Sequence, residues 1–276
     1  MFYYSNWDRF CSRISEIKVK AIRANELLNN NCSNQFIIFK HDVEANPIKA
    51  LKLAKIEHKH GICGSYYVQG FLLEKPRNVE ILKKIKDLGH EVSYHYDVLD
   101  ANLGNFEKAN RDFNTNVARF ESFGFKIDTV CQHGNPVMNR VGYTSNRDFF
   151  RNRTISEQYS HIADIVVNFK EKTKAIYTYV SDAGYSWKLI SDPENNDKGN
   201  TIPDIPIEGF NGILQMIKDG DSIILSTHPH RWKNSRVAIY WKIFFFRSVR
   251  SIVMLVRKLP FAEKILSRFY YLAKNI

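Results

Sequence analysis

The sequence lacks the short motifs that mark the commonest nucleotide-binding and serine-hydrolase sites. It contains no GxGxxG, no GxxxxGK(S/T) and no GxSxG segment, so a standard phosphate loop and a serine nucleophile have no support. It also lacks internal repeats at a fixed period and low-complexity tracts, which argues against a solenoid or a disordered linker. The chemistry of this chain must therefore come from side chains that the fold brings together.

Cysteine is scarce, with four residues in 276 and no pair at CxxC spacing. This pattern argues against a cysteine zinc knuckle and against a fold held by disulfides. The N-terminal segment MFYYSNWDRF has no charged region followed by an apolar one, which a secretory signal would show. We therefore expect a cytoplasmic, reducing setting in which the thiols are free.

Positive charge is concentrated at the C-terminal end of the chain. Residues 231–276 contain eleven Lys or Arg and one acid, Glu263, which is a net +10 of the chain's +11. The first 230 residues are therefore nearly neutral, which argues against a nucleic-acid binder. A basic tail that is also apolar instead favours contact with a membrane surface.

The segment 236–258 is rich in aromatic and aliphatic residues, but basic residues interrupt it. No uncharged stretch reaches the roughly 20 residues that a spanning helix needs. On a helical projection its basic residues fall within about 160° of arc, which is typical of a helix lying in the membrane interface. Pro260 ends this helix, and we predict that residues 236–274 contact an anionic membrane, peripherally and on its inner face. The alternative is a C-terminal helix packed against the main fold.

Short apolar segments alternate with amphipathic stretches through the middle of the chain. The predicted strands are 35–39, 65–69, 90–96, 127–132, 165–169, 175–180 and 222–226. The predicted helices are 7–29, 46–60, 78–88, 105–123 and 207–218. The alternation predicts an α/β domain with parallel strands. We place this domain at 35–232, between an N-terminal helical extension (1–34) and basic amphipathic C-terminal helices (233–276).

Four of the predicted strands end in segments that contain histidine. These histidines are His41, His95, His133 and His228. The carboxyl ends of parallel strands meet at one edge of the sheet, where α/β proteins collect their chemistry. Imidazoles beside carboxylates suit a divalent metal or an acid–base pair, so the sequence predicts a metal-dependent hydrolase at this edge.

Each strand end also has a purely structural explanation. Asp42 could cap the helix that begins near Asn46, and His95 could be a hydrogen-bonded core histidine. The turn after His133 is explained equally well by Gly134, which permits a sharp bend. We prefer the functional interpretation because four such ends coincide.

The motifs resemble those of the polysaccharide deacetylases of carbohydrate esterase family 4. The family segments TFDDG, Gly-His-Glu-Ile-Gly-x-His and Ile-Leu-x-x-His match Phe39–Val43, Gly89–His95 and Ile224–His228. A divergent branch associated with bacterial surface-polysaccharide biosynthesis is closer still. Its five motifs match His41–Val43, Gly89–Asp97, Cys131–Gly134, Asp182–Trp187 and Thr227–Trp232, in that order. The resemblance spans about residues 35–232 and implies a distorted (β/α)7 TIM-like barrel.

The resemblance also implies a divalent metal, with zinc as the expected ion. Asp42 and His95 would take two of the family's metal positions. The family's second metal histidine falls on Leu99, so the third ligand would be either Asp97 or His133.

The remaining roles follow from the same resemblance. His41 stands where the family has its catalytic base, and His228 stands where it has its acid. The predicted substrate-binding residues are Glu44, Asn135, Asp182, Tyr185, Trp187, Arg231 and Trp232. The implied reaction removes an acetyl or related acyl group from an amino sugar, which is either free or lipid-linked. The alternatives are a carbohydrate-binding barrel without catalysis and a peripheral membrane scaffold for polysaccharide assembly.

Overall fold

A computed structural model describes residues 2–17, 19–29, 34–135, 138, 140–198 and 202–256, with backbone only at 246, 247 and 249–256. The predicted second basic segment, through Lys274, lies outside the described residues, as does Cys32. Cys11, Cys63 and Cys131 are free thiols, as predicted.

One mixed sheet of ten strands forms the centre of the described structure. The strands are β1 (Lys20–Ala21), β2 (Phe36–Val43), β3 (Gly64–Val68), β4 (Glu91–Tyr96), β5 (Thr129–Gln132), β6 (Ala163–Asp164), β7 (Thr178–Ser181), β8 (Lys188–Leu189), β9 (Ile205–Pro206) and β10 (Ile223–Thr227). Their order is β6-β5-β4-β3-β2-β10-β7-β8-β9, and β1 pairs with β2. All ladders are parallel except those of β8 and β9, which are antiparallel.

Helices occupy most of the connections between these strands. They are α1 (Tyr4–Glu16), α2 (Ala24–Asn29), α3 (Pro47–Lys59), α4 (Pro76–Asp87), α5 (Val98–Ala101), α6 (Phe106–Ser122), α7 (Asp148–Arg151), α8 (Arg153–Gln158), α9 (Phe169–Thr173), α10 (Gly209–Lys218) and α11 (Arg236–Val256). Short 3₁₀ turns lie at Gly70–Glu74, Ala183–Tyr185 and Pro229–Arg231. The predicted α/β class is confirmed. No ladder joins β6 to β9 within the described ranges, so the implied barrel is incomplete in its hydrogen bonding.

Strand β2 is buried on both faces, and its alternating side chains enter different cores. Ile37 and Phe39 pack outward in a cluster with Trp7 of α1. Phe36 and Ile38 point the other way, into a cluster on the inner side of the sheet. Because successive side chains of a strand point to opposite faces, this alternation decides where each residue at the end of β2 can act.

Helix α3 begins where the sequence signals predict. The Asn46 side chain accepts a hydrogen bond from the Ile48 amide, and Pro47 occupies the first turn. Asn46 itself adopts a left-handed conformation with φ of 34°, which Asn tolerates better than most residues. The chain therefore turns sharply between β2 and α3, directly beside Glu44.

The prediction of a strand at 165–169 is wrong. The Asp164 carboxylate accepts hydrogen bonds from the amides of Val166 and Val167, and the Asn168 side chain accepts one from the Asp164 amide. These local bonds compete with a ladder and turn the chain. Helix α9 then begins at Phe169.

The N-terminal segment predicted as an extension is instead part of the core. Residues 7–29 form no single helix, because α1 ends at Glu16 and β1 then pairs with β2. Trp7 is fully buried, and its indole N–H donates a 3.0 Å hydrogen bond to Glu57 of α3.

Candidate active site

The carboxyl ends of four parallel strands bring the predicted residues to one edge of the sheet. Glu44 follows β2, His95 lies near the end of β4, His133 follows β5 and His228 follows β10. The ladder places His95 opposite Cys131 of β5, so the two neighbouring strands end together. The predicted gathering of histidines at this edge is therefore present, with one exception described below.

Glu44, His95 and His133 form a compact group of potential metal ligands. Glu44 Oε1 lies 3.4 Å from His133 Nε2 and 3.8 Å from His95 Nε2. One donor atom from each residue lies within 4.8 Å of the others. Two imidazole nitrogens and one carboxylate oxygen are a donor set that catalytic zinc sites use.

The hydrogen bonding of His95 fits a metal ligand. Its Nδ1 lies 3.0 Å from the Cys131 carbonyl, which can only accept, so Nδ1 carries the proton. Its Nε2 is buried and has no hydrogen-bond partner. A metal ligand needs this arrangement, with one ring nitrogen fixed by a carbonyl and the other free of a proton.

Glu44 is ionised in this environment. Burial opposes ionisation, but the neighbouring imidazoles of His133 and His95 outweigh it, and the pKa of Glu44 is held well below its usual range. Glu44 was predicted to bind substrate, whereas its position makes it the best carboxylate ligand of this edge.

Asp42 lies on the same face of β2 as Glu44, but it has a cation of its own. Lys40 Nζ lies 2.6 Å from both Asp42 carboxylate oxygens and 3.2 Å from Ser226 Oγ. Burial disfavours the carboxylate, but the charges of Lys40, His95 and His228 lower the pKa of Asp42 to about 2.

A second possible ligand group joins Asp42, His95 and Cys131. It suits a metal less well, because burial holds the pKa of the Cys131 thiol well above its usual value and metals bind the thiolate. Asp42 was predicted as a metal ligand; since it already pairs with Lys40, the geometry favours Glu44 for that role.

His228 is held in one orientation by Asp182. The Asp182 carboxylate lies 2.6 Å from His228 Nδ1 and accepts a 3.0 Å hydrogen bond from the His228 amide. The opposite ring nitrogen, Nε2, lies 3.8 Å from Asp42 Oδ2 and 4.0 Å from Glu44 Oε1. A carboxylate on Nδ1 and a free Nε2 facing the reactants is the arrangement of a catalytic acid–base pair.

Asp182 is fully buried. Burial raises its pKa, but the charges of Arg231 and His228 overcome this effect and lower it. Arg231 Nη1 donates to Asp182 Oδ1 at 2.6 Å. Buried Asp182 therefore holds His228 rather than binding substrate as predicted. Arg231 supports Asp182, and its substrate contact stays a prediction.

His41 is the exception, and its predicted role as the base is wrong. It lies on the outer face of β2, fully buried, with Nδ1 2.9 Å from Thr227 Oγ1 and Nε2 3.0 Å from Glu57 Oε1. Its ring stacks on Tyr66 at 4.3 Å between centroids. The sheet itself separates this imidazole from Glu44 and His95.

Glu57 is the centre of this outer network. It accepts hydrogen bonds from Trp7 Nε1 and from the Tyr66 hydroxyl at 3.0 and 2.7 Å. His90 Nδ1 lies 3.7 Å from Glu57 Oε2, the oxygen that also accepts from Tyr66. Burial opposes its ionisation, but His41, His90 and Tyr66 hold its pKa below the usual value.

Trp187 and Trp232, which were predicted to bind substrate, are core residues. Trp232 is fully buried against Phe2 and Trp7, with ring centroids 5.4 and 4.9 Å away. Trp187 is 4% exposed and packs on the same Phe2 ring. Neither offers a free face to a sugar, so both predictions are corrected.

The other predicted residues lie around the rim or outside the site. Asp97 precedes α5 and belongs to neither ligand group found among the described residues. Asn135 is buried, and its carbonyl accepts a hydrogen bond from Arg140. The ring centroid of Tyr185 lies 5.5 Å from the guanidinium carbon of Arg231, which in turn contacts Asp182.

Two residues of the site were not predicted from the sequence. Lys40 could have been found by alternation, since it shares a face with Asp42 and Glu44. His230 lies with Nδ1 4.0 Å from Glu44 Oε2. Only the 3₁₀ turn after His228 brings it there, and the sequence carries no clear signal for that turn.

Comparison with known proteins gives similarity only at the level of solved structures. No family model matches the sequence, and no curated protein matches it. A CE4 esterase from Streptococcus mutans is similar over 84% of this chain and 89% of its own, with 11% identity and a TM-score of 0.43. The catalytic domain of a peptidoglycan N-acetylglucosamine deacetylase from Eubacterium rectale is similar over 85% and 90%, with 10% identity and a TM-score of 0.45. A peptidoglycan deacetylase from Bacillus subtilis is similar over 82% and 98%, with 15% identity and a TM-score of 0.37.

These structures carry names from the family that the sequence motifs resemble. Their TM-scores lie below 0.5, so the roles assigned to residues of this chain rest on its own geometry.

Proposed function

We propose that this protein is a metal-dependent carbohydrate deacetylase that removes an acetyl or related acyl group from an amino sugar. The observation that supports it is the N,N,O ligand group of Glu44, His95 and His133 beside the oriented pair of His228 and Asp182. The choice of an acylated amino sugar, and of a surface-polysaccharide precursor, comes from the motif resemblance.

A divalent ion, with Zn²⁺ expected, would be held by Glu44, His95 and His133. Bound there, it would polarise the acyl carbonyl and lower the pKa of water. The other steps are carried by the protein's side chains.

Asp42 replaces His41 as the proposed proton acceptor. Its carboxylate shares a face with Glu44 and lies 3.8 Å from His228 Nε2, so it is placed to take a proton from the attacking water as the water oxygen bonds to the acyl carbon. Protonated His228 then gives its Nε2 proton to the amine nitrogen as the C–N bond breaks. The proton on Asp42 can return to His228, because Asp42 Oδ2 and His228 Nε2 lie 3.8 Å apart.

The metal assignment is tested by the metal content of purified variants. Glu44→Gln and His133→Asn should lose most of the bound metal and the release of acetate from acetylated amino sugars. Asp42→Asn should keep the metal but lose activity. Asp97→Asn is the matched control, since it removes a predicted ligand that lies outside the group, and it should keep both.

Two results would overturn the proposal. Retention of metal by Glu44→Gln with loss in Asp97→Asn would contradict the ligand set. Metal binding without acyl release from any amino sugar would instead favour a carbohydrate-binding barrel.

A further inference from the structure

Helix α11 exposes a row of large apolar side chains. Ile239 on its inner face is fully buried, and Ile243 packs against the same core. The exposed residues are Val237, Tyr240, Trp241, Phe244 and Phe245, which are 51–67% exposed. Their spacing of three and four residues puts them on one side of the helix. We refer to these five residues as the α11 stripe.

Basic groups lie beside the α11 stripe. Lys242 of α11 and Lys49 of α3 both donate to the His230 carbonyl, at 2.9 and 3.0 Å. Burial, together with the charges of Lys49, Lys233 and Arg231, lowers the pKa of Lys242 to about 7. The crowding of these four cations, Lys49, Lys233, Arg231 and Lys242, favours an anionic partner.

The same lysine links α11 to the candidate active site. The imidazole of His230 lies 4.0 Å from Glu44, and the carbonyl of His230 accepts from Lys242. A single residue, His230, therefore connects helix α11 to the ligand group.

We propose that the α11 stripe docks on an anionic membrane surface and that the active site acts on a saccharide held at that membrane. The second half of this statement rests on the proposed function. The cytoplasmic leaflet, which carries anionic lipid, is the expected surface.

The composition of the stripe favours lipid over a second copy of the chain. Trp and Tyr prefer the boundary between apolar and wet regions, and a basic amphipathic helix binds there through both area and charge. Two copies meeting at this surface would bring together the cations Lys233, Arg236 and Lys242 of each, and residues 231–245 contain no acid to pair with them. None of the described helices is long and apolar enough to cross the bilayer.

Vesicle flotation of the full-length chain tests the proposal. The wild type should float with vesicles of equimolar phosphatidylcholine and phosphatidylglycerol, and much less with phosphatidylcholine alone. The double variant Trp241→Ser/Phe244→Ser should lose at least roughly tenfold of its partitioning, because it removes two large apolar side chains from the contact. Phe71→Ser is the matched control, since Phe71 is 54% exposed outside the stripe, and it should float like the wild type.

Three outcomes would overturn it. The double variant could float as well as the wild type, or binding could be equal on neutral vesicles. Sedimentation without lipid could also show a dimer that the double variant loses, which would make the stripe a protein interface.

This test is independent of the proposed chemistry. Glu44→Gln should float like the wild type even though it loses metal, so failure of the proposed function and failure of membrane docking give different results.

Discussion

At the scale of single residues, neighbouring side chains of strand β2 belong to two different polar networks, one on each face of the sheet. Asp42 and Glu44 face the candidate active site, whereas His41, which directly precedes Asp42, faces Glu57 and the outer core. Each network uses buried charges that are matched by partners, which is the condition for keeping charges inside a protein. The two networks should therefore respond differently to substitution.

Asp182→Asn should lower turnover by about 10²- to 10⁴-fold and leave the metal content unchanged. The neutral amide no longer stabilises charged His228 or fixes its Nδ1 proton. Acetate release and metal stoichiometry, measured on the same preparation, check this. Loss of metal together with activity would mean that Asp182 supports the ligand group rather than His228.

Glu57→Gln should destabilise the protein by about 3 kcal/mol without changing the metal site, because it removes one partner of a buried ionic network. The free energy of unfolding in urea measures the effect. Glu80→Gln, on the exposed side of α4, is the control and should be neutral. An unchanged unfolding free energy for Glu57→Gln would contradict the structural role given to this network.

At the scale of elements, the sequence predicts where most of the strands lie and that their polar ends gather at one edge of the sheet. Strands β2, β3, β4, β5, β7 and β10 overlap the predicted segments, because apolar runs and their polar ends are local signals. The parity of Asp42 and Glu44 was also readable from the sequence.

The missed features depend on contacts that are distant in sequence. The motif resemblance predicts His41 as the base, but its partner, Glu57, lies on another element, and only the fold brings the two together. The sequence predicts that Trp187 and Trp232 bind substrate, but the packing of Phe2 and α1 against them shows that they are buried. The strand predicted at 165–169 failed because bonds from Asp164 and Asn168 outweigh β-propensity.

The loop before β9 is held to α7 by one carboxylate. Asp197 accepts two hydrogen bonds from Arg151, at 2.8 and 2.9 Å, and one from Ser145. Burial opposes its ionisation, but these partners and Arg147 hold its pKa well below the usual value. Its charge therefore stabilises the fold above the carboxyl's ordinary pKa, and this contribution is lost as pH falls through the native value.

Asp197→Asn should cost about 1–3 kcal/mol at neutral pH, and the difference from wild type should shrink as the solution is acidified. Urea unfolding at several pH values measures it. The exposed Asp87 serves as the control site, where the same change should have little effect at any pH. A cost for Asp197→Asn that does not vary with pH would contradict the ionic explanation.

At the scale of the whole molecule, the ligand group joins strands from both sides of β3. Glu44 follows β2, His95 lies in β4 and His133 follows β5. A metal bound by all three would bridge these strands in the native state only. Metal binding should therefore stabilise the entire domain and not just the site.

Zinc at about 100 times its dissociation constant should add about 2.7 kcal/mol and raise the Tm by several degrees. Differential scanning calorimetry with and without chelator measures the shift. Glu44→Gln should abolish it, and Asp97→Asn should retain it. A shift that persists in Glu44→Gln would place the metal elsewhere.

The burial of β2 on both faces also limits how this chain can change in length. A single residue inserted or deleted between Phe36 and Lys40 would turn Lys40 and Asp42 into the apolar outer core and direct His41 into the site. Related chains should therefore tolerate insertions before Phe36 but keep a fixed spacing from there to Glu44. Length variation in evolution would thus be confined to the loops, because the length of this strand decides which of its side chains face the site.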